Sequence, residues 1–152
     1  MNRSQLLRRV HTAWEALEQS FAGLSEARLT EPGVSGEWSV KDMLAHVTTW
    51  EAEALKYLPL IVEGGTPPRY ASEGGIDVFN ARMADHKRAL SLADVLGQLR
   101  ETHRRLIDYI EGVPETQFAC ETRFRRRLRL DTYRHYAEHA RAIGAWRGTS
   151  TC

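Results

Sequence analysis

Two histidines four residues apart, in the run His135-Tyr-Ala-Glu-His139, are the sharpest local signal for chemistry in the chain. On a helix, side chains at i and i+4 stand one turn apart on the same face, so two imidazoles there can grip a single ion. Both fall on an apolar stripe that Ile143 and Trp146 continue, which turns them toward a protein interior. Each buried polar group left without a partner costs about 1–3 kcal/mol, and a divalent cation is one partner two imidazoles can share. A third ligand is then wanted from another segment. His46 fits best, lying between Met43 and Trp50 on an amphipathic stretch of its own. His11, His86 and His103 occupy stripe positions too, so stripe position alone does not single out His46. His11 is expected to pack beside Trp14, while His86 and His103 are open to a fourth-ligand, pocket-donor or packing role.

Three imidazoles leave one coordination position for water or substrate, which is the layout of a catalytic rather than a structural site. No thiolate joins the set, and imidazole suits Zn2+, Ni2+ or Fe2+ without choosing among them. The residue after His135 is Tyr136, so the HExxH pattern of zinc proteases, with its adjacent general base, is absent. Glu138 is expected on the surface, pairing with Arg134 or Arg141. A metal-activated water, its pKa lowered to about 7, remains a candidate nucleophile without a named base.

Other residues carry weaker signals. Arg125 and Arg127, in the basic run Arg123–Arg129, could anchor a carboxylate or thiolate through guanidinium forks. Charge runs more often face solvent and neutralise nearby acids, which is the favoured reading here. Asn80 and Arg82 are candidates for a pocket wall, as are Trp50, Tyr136 and Trp146. Cys120 has no paired histidine in the sequence and reads as inert. Gly64-Gly65 and Gly74-Gly75 lack a following Lys-Ser/Thr, so they read as connections or a lid rather than a phosphate loop.

The elements that must position these groups are helical. Leu7, Val10, Trp14, Leu17, Phe21 and Leu24 step by three and four, as do Val40, Met43, Val47, Trp50, Ala54 and Leu58. Ser39 with Asp42 forms an approximate capping box. A third helical region begins near Ile76 with Phe79, Met83 and Leu90, and Ser91 with Asp94 predicts a break before Val95, Leu99, Leu106 and Ile110. Residues 114–130 are the least regular, read as a helical turn at Glu115–Phe118 followed by an extended Arg-rich connection. Asp131 is expected to cap the last helix, whose stripe is Thr132, His135, His139, Ala142, Ile143 and Trp146, with Gly148 as its stop. The expectation is an all-α four-helix bundle with long loops, one domain over residues 1–152.

Composition narrows the function. Lys plus Arg is 21 against 20 for Asp plus Glu, a net charge of +1 that argues against a dedicated nucleic-acid binder. No apolar run is long enough to span a membrane, no export signal opens the chain, and two cysteines without a CxxC pair fit a reducing cytoplasm.

The run from Gly36 to Glu51, with Trp38-Ser39 leading into a helix that carries His46, resembles the DinB-like superfamily of metal-binding four-helix bundles. The segment Asp131–Trp146 is similar to that family's last helix, and the Phe79-Asn80 element resembles its ClbS/DfsB branch. The resemblance implies a divalent metal on His46, His135 and His139, and a homodimer. It also implies divided function, because some members transfer or isomerise with low-molecular-weight thiols and others act as hydrolases. The expected activity is therefore a metal-dependent hydrolase or thiol S-transferase acting on a small electrophile. The alternative is a non-catalytic, metal-stabilised stress-response or interaction module.

Overall fold

Asn2, Ser39, Ser91 and Thr122 each stand just before a helix and accept a backbone N–H three residues on, at 2.9, 3.2, 3.0 and 3.0 Å. These side chains satisfy donors that the first helical turn leaves open, and so fix where the long elements begin. In the computed structural model, which describes residues 1–149, they launch α1 (Arg3–Phe21), α3 (Val40–Val62), α5 (Leu92–Glu111) and α6 (Arg123–Asp131). The remaining helices are α2 (Glu26–Leu29), α4 (Ile76–Lys87) and α7 (Tyr133–Thr149), with short 3-10 turns at Tyr70–Glu73 and Glu115–Gln117. Cys152 lies outside the described residues, and Cys120 is an exposed free thiol.

The bundle is all-α. Helix α1 packs mainly on α7 and α3 mainly on α5, with α6 wedged against both α3 and α7 and α4 laid on α3. Its core is built from Leu6, Val10, Trp14 and Leu17 of α1, Val40–Ile61 positions of α3, and Val95, Leu99, Leu106 and Ile110 of α5. No helix among the described residues is long and apolar enough to cross a membrane. The predicted break after α4 is real and is closed by Ser91, so the third region is two helices.

Four expectations are corrected. Leu6, not Leu7, is the innermost residue of the first turn of α1. Residues 123–131 are a helix rather than an extended connection, because Thr122 caps them and Phe124 and Leu128, four apart, both reach full burial. Asp131 therefore ends α6 instead of capping the next helix. The chain breaks at Thr132, with φ −124° and ψ −105°, and restarts at once as α7. Gly148 does not stop α7, which includes it and runs to Thr149.

Helical and extended geometry make different demands on residues 124–130. In the helix Leu128 is sealed and Leu130 is half exposed, whereas an extended strand would turn both to one side. Leu128→Ala should cost about 2–5 kcal/mol in urea unfolding, and Leu130→Ala less than about 0.5 kcal/mol.

Candidate metal centre

The first histidine is placed by its helix start. The Ser39 N–H donates to Asp42 Oδ2 at 3.0 Å, completing a capping box, and Trp38 just ahead tilts its ring against His46 with centroids 5.1 Å apart. His135 and His139 stand one turn apart on α7. The three rings turn Nε2 inward: His135 Nε2 lies 3.0 Å from His46 Nε2 and 2.8 Å from His139 Nε2. Among the described residues this is the one group of three or more His, Cys, Asp or Glu so gathered, its donor atoms all within 4.8 Å of one another.

Protons alone do not satisfy that arrangement. A ring nitrogen either donates one hydrogen or offers one lone pair, so His135 Nε2 can make one of its two contacts favourable but not both. A cation accepts all three lone pairs. Zn–N bonds of about 2.0–2.1 Å in a tetrahedron put the nitrogens about 3.3 Å apart, within a few tenths of an ångström to about half an ångström of the two His135 contacts. Burial supplies the neutral state that a ligand requires. It pulls His46 down to about 3, aided by His139 and Lys87, and His135 down to about 2, aided by His139 and His46. His139 is lowered by burial as well. His135 Nδ1 is buried with no partner, so this ring lacks the outer acceptor that usually orients a ligand histidine.

The histidines open on a cavity of about 430 Å3 whose wall includes Trp50, Tyr70, Asn80, Arg127, Asp131 and Glu138. Trp50 Nε1–H donates to Asn80 Oδ1 at 2.9 Å, which leaves the Asn80 amide NH2 to face other partners. Ile76 and Leu130, 52% and 51% exposed, form apolar lips. Gly74 and Gly75, at φ 92° and 101°, adopt left-handed backbone just before α4, and the turn ahead of them carries Tyr70 into the wall.

Asp131 lines the cavity beside the histidines. Burial pushes its carboxyl up to about 6 against the opposing pull of Arg127. Arg127 Nε holds Asp131 Oδ2 at 2.5 Å, and its Nη2 donates to the Tyr70 hydroxyl at 2.8 Å. Arg127 is thus in the cavity wall but already committed to a carboxylate. Arg125 is elsewhere, donating to the Phe118 carbonyl at 3.4 Å and lying 4.0 Å from Glu121. Arg82 is paired with Glu73, outside this cavity.

Three further expected wall residues are displaced. Tyr136 is fully buried, and its hydroxyl donates to Glu51 Oε2 at 2.9 Å inside the bundle. His103 also meets Glu51, through Nδ1 at 2.8 Å, and stacks on Trp14 with centroids 3.6 Å apart. Trp146 packs under Arg28, whose guanidinium lies 4.1 Å from the ring centre. The cause lies on α7: Ile143 of the expected stripe is sealed, and so is Thr132 just ahead of the helix, but the residue sealed between them is Tyr136 rather than His135 or His139. His135 and His139 sit on the flank of that side, and so reach a cavity rather than the core. His11 and His86 are exposed, and it is His103 rather than His11 that packs on Trp14. Glu138 pairs with Arg134 at 3.6 Å as expected, yet also borders the cavity.

Sequence reasoning assigned no role to Glu51 or Tyr70, and gave Asp131 only a capping role. For Glu51 the signal was present, since it continues the interior stripe Leu44, Val47, Ala54, Leu58 as a carboxylate that is 0% exposed. Burial raises its pKa, opposed by the His103 and Tyr136 hydrogen bonds.

The class is a helical bundle with three convergent histidines that could hold a metal ion beside an open cavity. Residues 9–142 match the family model of the DinB superfamily, and the chain belongs to that superfamily. Among solved structures, the sibling lethal factor precursor DfsB superposes with TM-score 0.80 at 14% identity, over 99% of this chain and 98% of that one. The colibactin self-resistance protein ClbS, solved in complex with a double-stranded DNA, gives TM-score 0.78 at 14% identity over 96% and 95%. An uncharacterised protein from Escherichia coli UTI89 gives 0.78 at 14% over 97% and 94%. No curated protein matches the sequence.

Tyr136→Phe removes a donor from a buried carboxylate and should cost about 1–3 kcal/mol in thermal or urea unfolding. The same variant should bind metal more weakly, because Tyr136 sets the rotation of α7; isothermal titration measures both proteins side by side. The three histidines also give a pH signature. Their folded pKa values lie below the ordinary 6.5, so their contribution is complete above that pH and is lost as pH falls toward 3. Metal-free protein should lose about 1.4 kcal/mol per pH unit for each histidine that must charge on unfolding. Urea titrations from pH 7 to 4 should show a steeper decline than in the double variant His46→Gln/His135→Gln.

Proposed function

We propose that this chain is a divalent-metal-dependent enzyme acting on a small electrophilic molecule, as a hydrolase or a low-molecular-weight-thiol S-transferase. The observation that carries this reading is the convergence of three neutral imidazole Nε2 atoms beside a cavity of about 430 Å3. His46, His135 and His139 hold the ion, with Zn2+ or Ni2+ as first choices and Fe2+ compatible with the same donors. When bound on three nitrogens with a position open, such an ion supplies Lewis-acid activation of a water or thiol.

The other roles belong to the chain's own residues. Asp131 Oδ2 is held by Arg127, while Oδ1 makes no hydrogen bond among the described residues and is the atom that takes the nucleophile's proton. A carboxyl near 6 is matched to that task at neutral pH. Arg127, braced by Tyr70, is a positioning residue that fixes Asp131. Asn80, oriented by Trp50, turns its NH2 toward the substrate's polar atoms, and Ile76 with Leu130 flank its apolar part.

A non-catalytic, metal-stabilised module is the competing reading. Structural metal sites close the coordination sphere with protein ligands, whereas the gathered donors here number three, which favours catalysis. Nucleic acid is not the partner proposed, because the arginines of α6 are taken up locally by Gly65, Glu121 and Asp131. The cytoplasmic address and homodimer are part of the same proposal, the latter read by light scattering.

Metal-loaded protein should turn over a chromogenic ester or an aryl halide, assayed with and without a low-molecular-weight thiol. Thiol-independent turnover selects the hydrolase and thiol-dependent turnover the transferase. Asp131→Asn should lower kcat by about 10²–10⁴-fold, and the pH–rate profile should lose its rise near 6. His135→Ala should lose both metal content and turnover. Unchanged metal in that variant, or metal that raises Tm without any turnover, would overturn the enzymatic reading.

A further inference from the structure

Helix α3 has a second functional-looking face. His46 and Trp50 look into the metal cavity, while Glu53, Lys56 and Tyr57 border a separate cavity of about 370 Å3 closed by the Tyr70–Glu73 turn and by α4. Four cations line it, Lys56, Arg69, Arg82 and Lys87, against the acids Glu53 and Glu73. Arg82 is consumed by Glu73, and Glu53 accepts from the Tyr70 hydroxyl at 3.3 Å. Lys56, Arg69 and Lys87 have no carboxylate within 4.0 Å among the described residues.

Lys87 is the unusual one. Its side chain is half buried, folded back over α3 so that Nζ meets the Ala45 carbonyl at 3.3 Å. That oxygen is already engaged by the Thr49 hydroxyl at 3.0 Å. A lysine in the last turn of a helix complements the helix dipole, but that effect does not require the ammonium to leave water. Holding a cation in a cavity wall with one shared carbonyl as partner is unfavourable unless an anion joins it. Burial without a counter-ion also draws the Lys87 pKa down.

We infer that this second cavity binds a small carboxylate or phosphate anion, with Lys87 as its inner cation and Lys56 and Arg69 closing on it from the solvent side. Tyr70 stands in the walls of both cavities, so the anion lies one aromatic ring from the three-histidine centre. The anion site itself does not depend on the metal or on the proposed reaction.

The test uses full-length protein stripped of metal with chelator and dialysed, titrated calorimetrically with inorganic phosphate and, separately, with succinate at constant ionic strength. Saturable binding of at least one anion is expected, and the better of the two identifies the acidic group. Lys87→Met should weaken it by about tenfold or more, the loss expected for one charge-assisted hydrogen bond. The same substitution should raise the Tm of anion-free protein, a gain that also shows the variant is folded. Arg69→Gln should weaken binding several-fold. No saturable binding to folded wild-type protein, or binding unchanged in Lys87→Met, would overturn the inference. Failure of the protein to retain metal would leave this result standing, which separates the two proposals.

Discussion

A single buried carboxylate organises the bundle. Glu51 of α3 is 0% exposed and accepts from Tyr136 of α7 and approaches His103 of α5, whose ring lies flat on Trp14 of α1. All four long helices therefore meet around one polar group. A carboxylate sealed from water is strongly unfavourable unless its partners are in place, so this knot tolerates little rotation of any helix. Tyr136 is the residue through which that constraint reaches the three-histidine cluster. With its ring locked inward, its neighbours at positions 135 and 139 are carried to the flank of α7, where His46 waits on α3. Glu51 Oε1 remains without a partner, the residual cost of placing an acid at this crossing.

The break at Thr132 is the second device. A continuous helix from 123 to 149 would give Asp131 and His135 the same face without letting α6 and α7 take separate paths. Breaking there lets α6 wedge against α3 while α7 lies along α1. The Thr132 hydroxyl closes the end of α6 by donating to the Leu128 carbonyl at 2.6 Å, and its own carbonyl accepts the Tyr136 N–H at 2.8 Å. One residue thus finishes one helix and starts the next. Asp131, at the seam, is delivered to the cavity with Arg127 one turn behind it.

Hydrogen bonds then run from one cavity to the other. Asp131, Arg127, Tyr70 and Glu53 form a continuous chain, with Asp131 beside the histidines and Glu53 in the neighbouring cavity. Burial pushes the Tyr70 hydroxyl up to about 12, so it stays protonated and serves as a neutral link. The aromatic group of Trp50, Tyr70 and Phe79, with centroids 5.1 to 5.5 Å apart, stiffens the partition. A wall that is rigid on its apolar side and hydrogen-bonded on its polar side suits a site whose geometry must be set before a ligand arrives.

Local sequence determined where the long helices begin and what they are, because capping side chains and apolar periodicity act within a few residues of themselves. Ser39, Ser91 and the stripes of α1, α3 and α5 were legible for that reason, as was the i, i+4 pairing of His135 with His139. His46 was legible only through its agreement with a family pattern, since His103 held an equally good stripe position. The arginine run was misread because alternating Arg and apolar residues satisfy a strand period, while burial of Phe124 and Leu128 together is a tertiary outcome. The sealing of Tyr136 rather than His135 or His139 on α7, the withdrawal of Tyr136 and His103 into the Glu51 knot, and the commitment of Arg127 to Asp131 were decided only on assembly. Periodicity tells which residues share a face of one helix. Which faces meet is settled by the desolvation of groups far apart in the chain, and the sequence alone does not display those encounters.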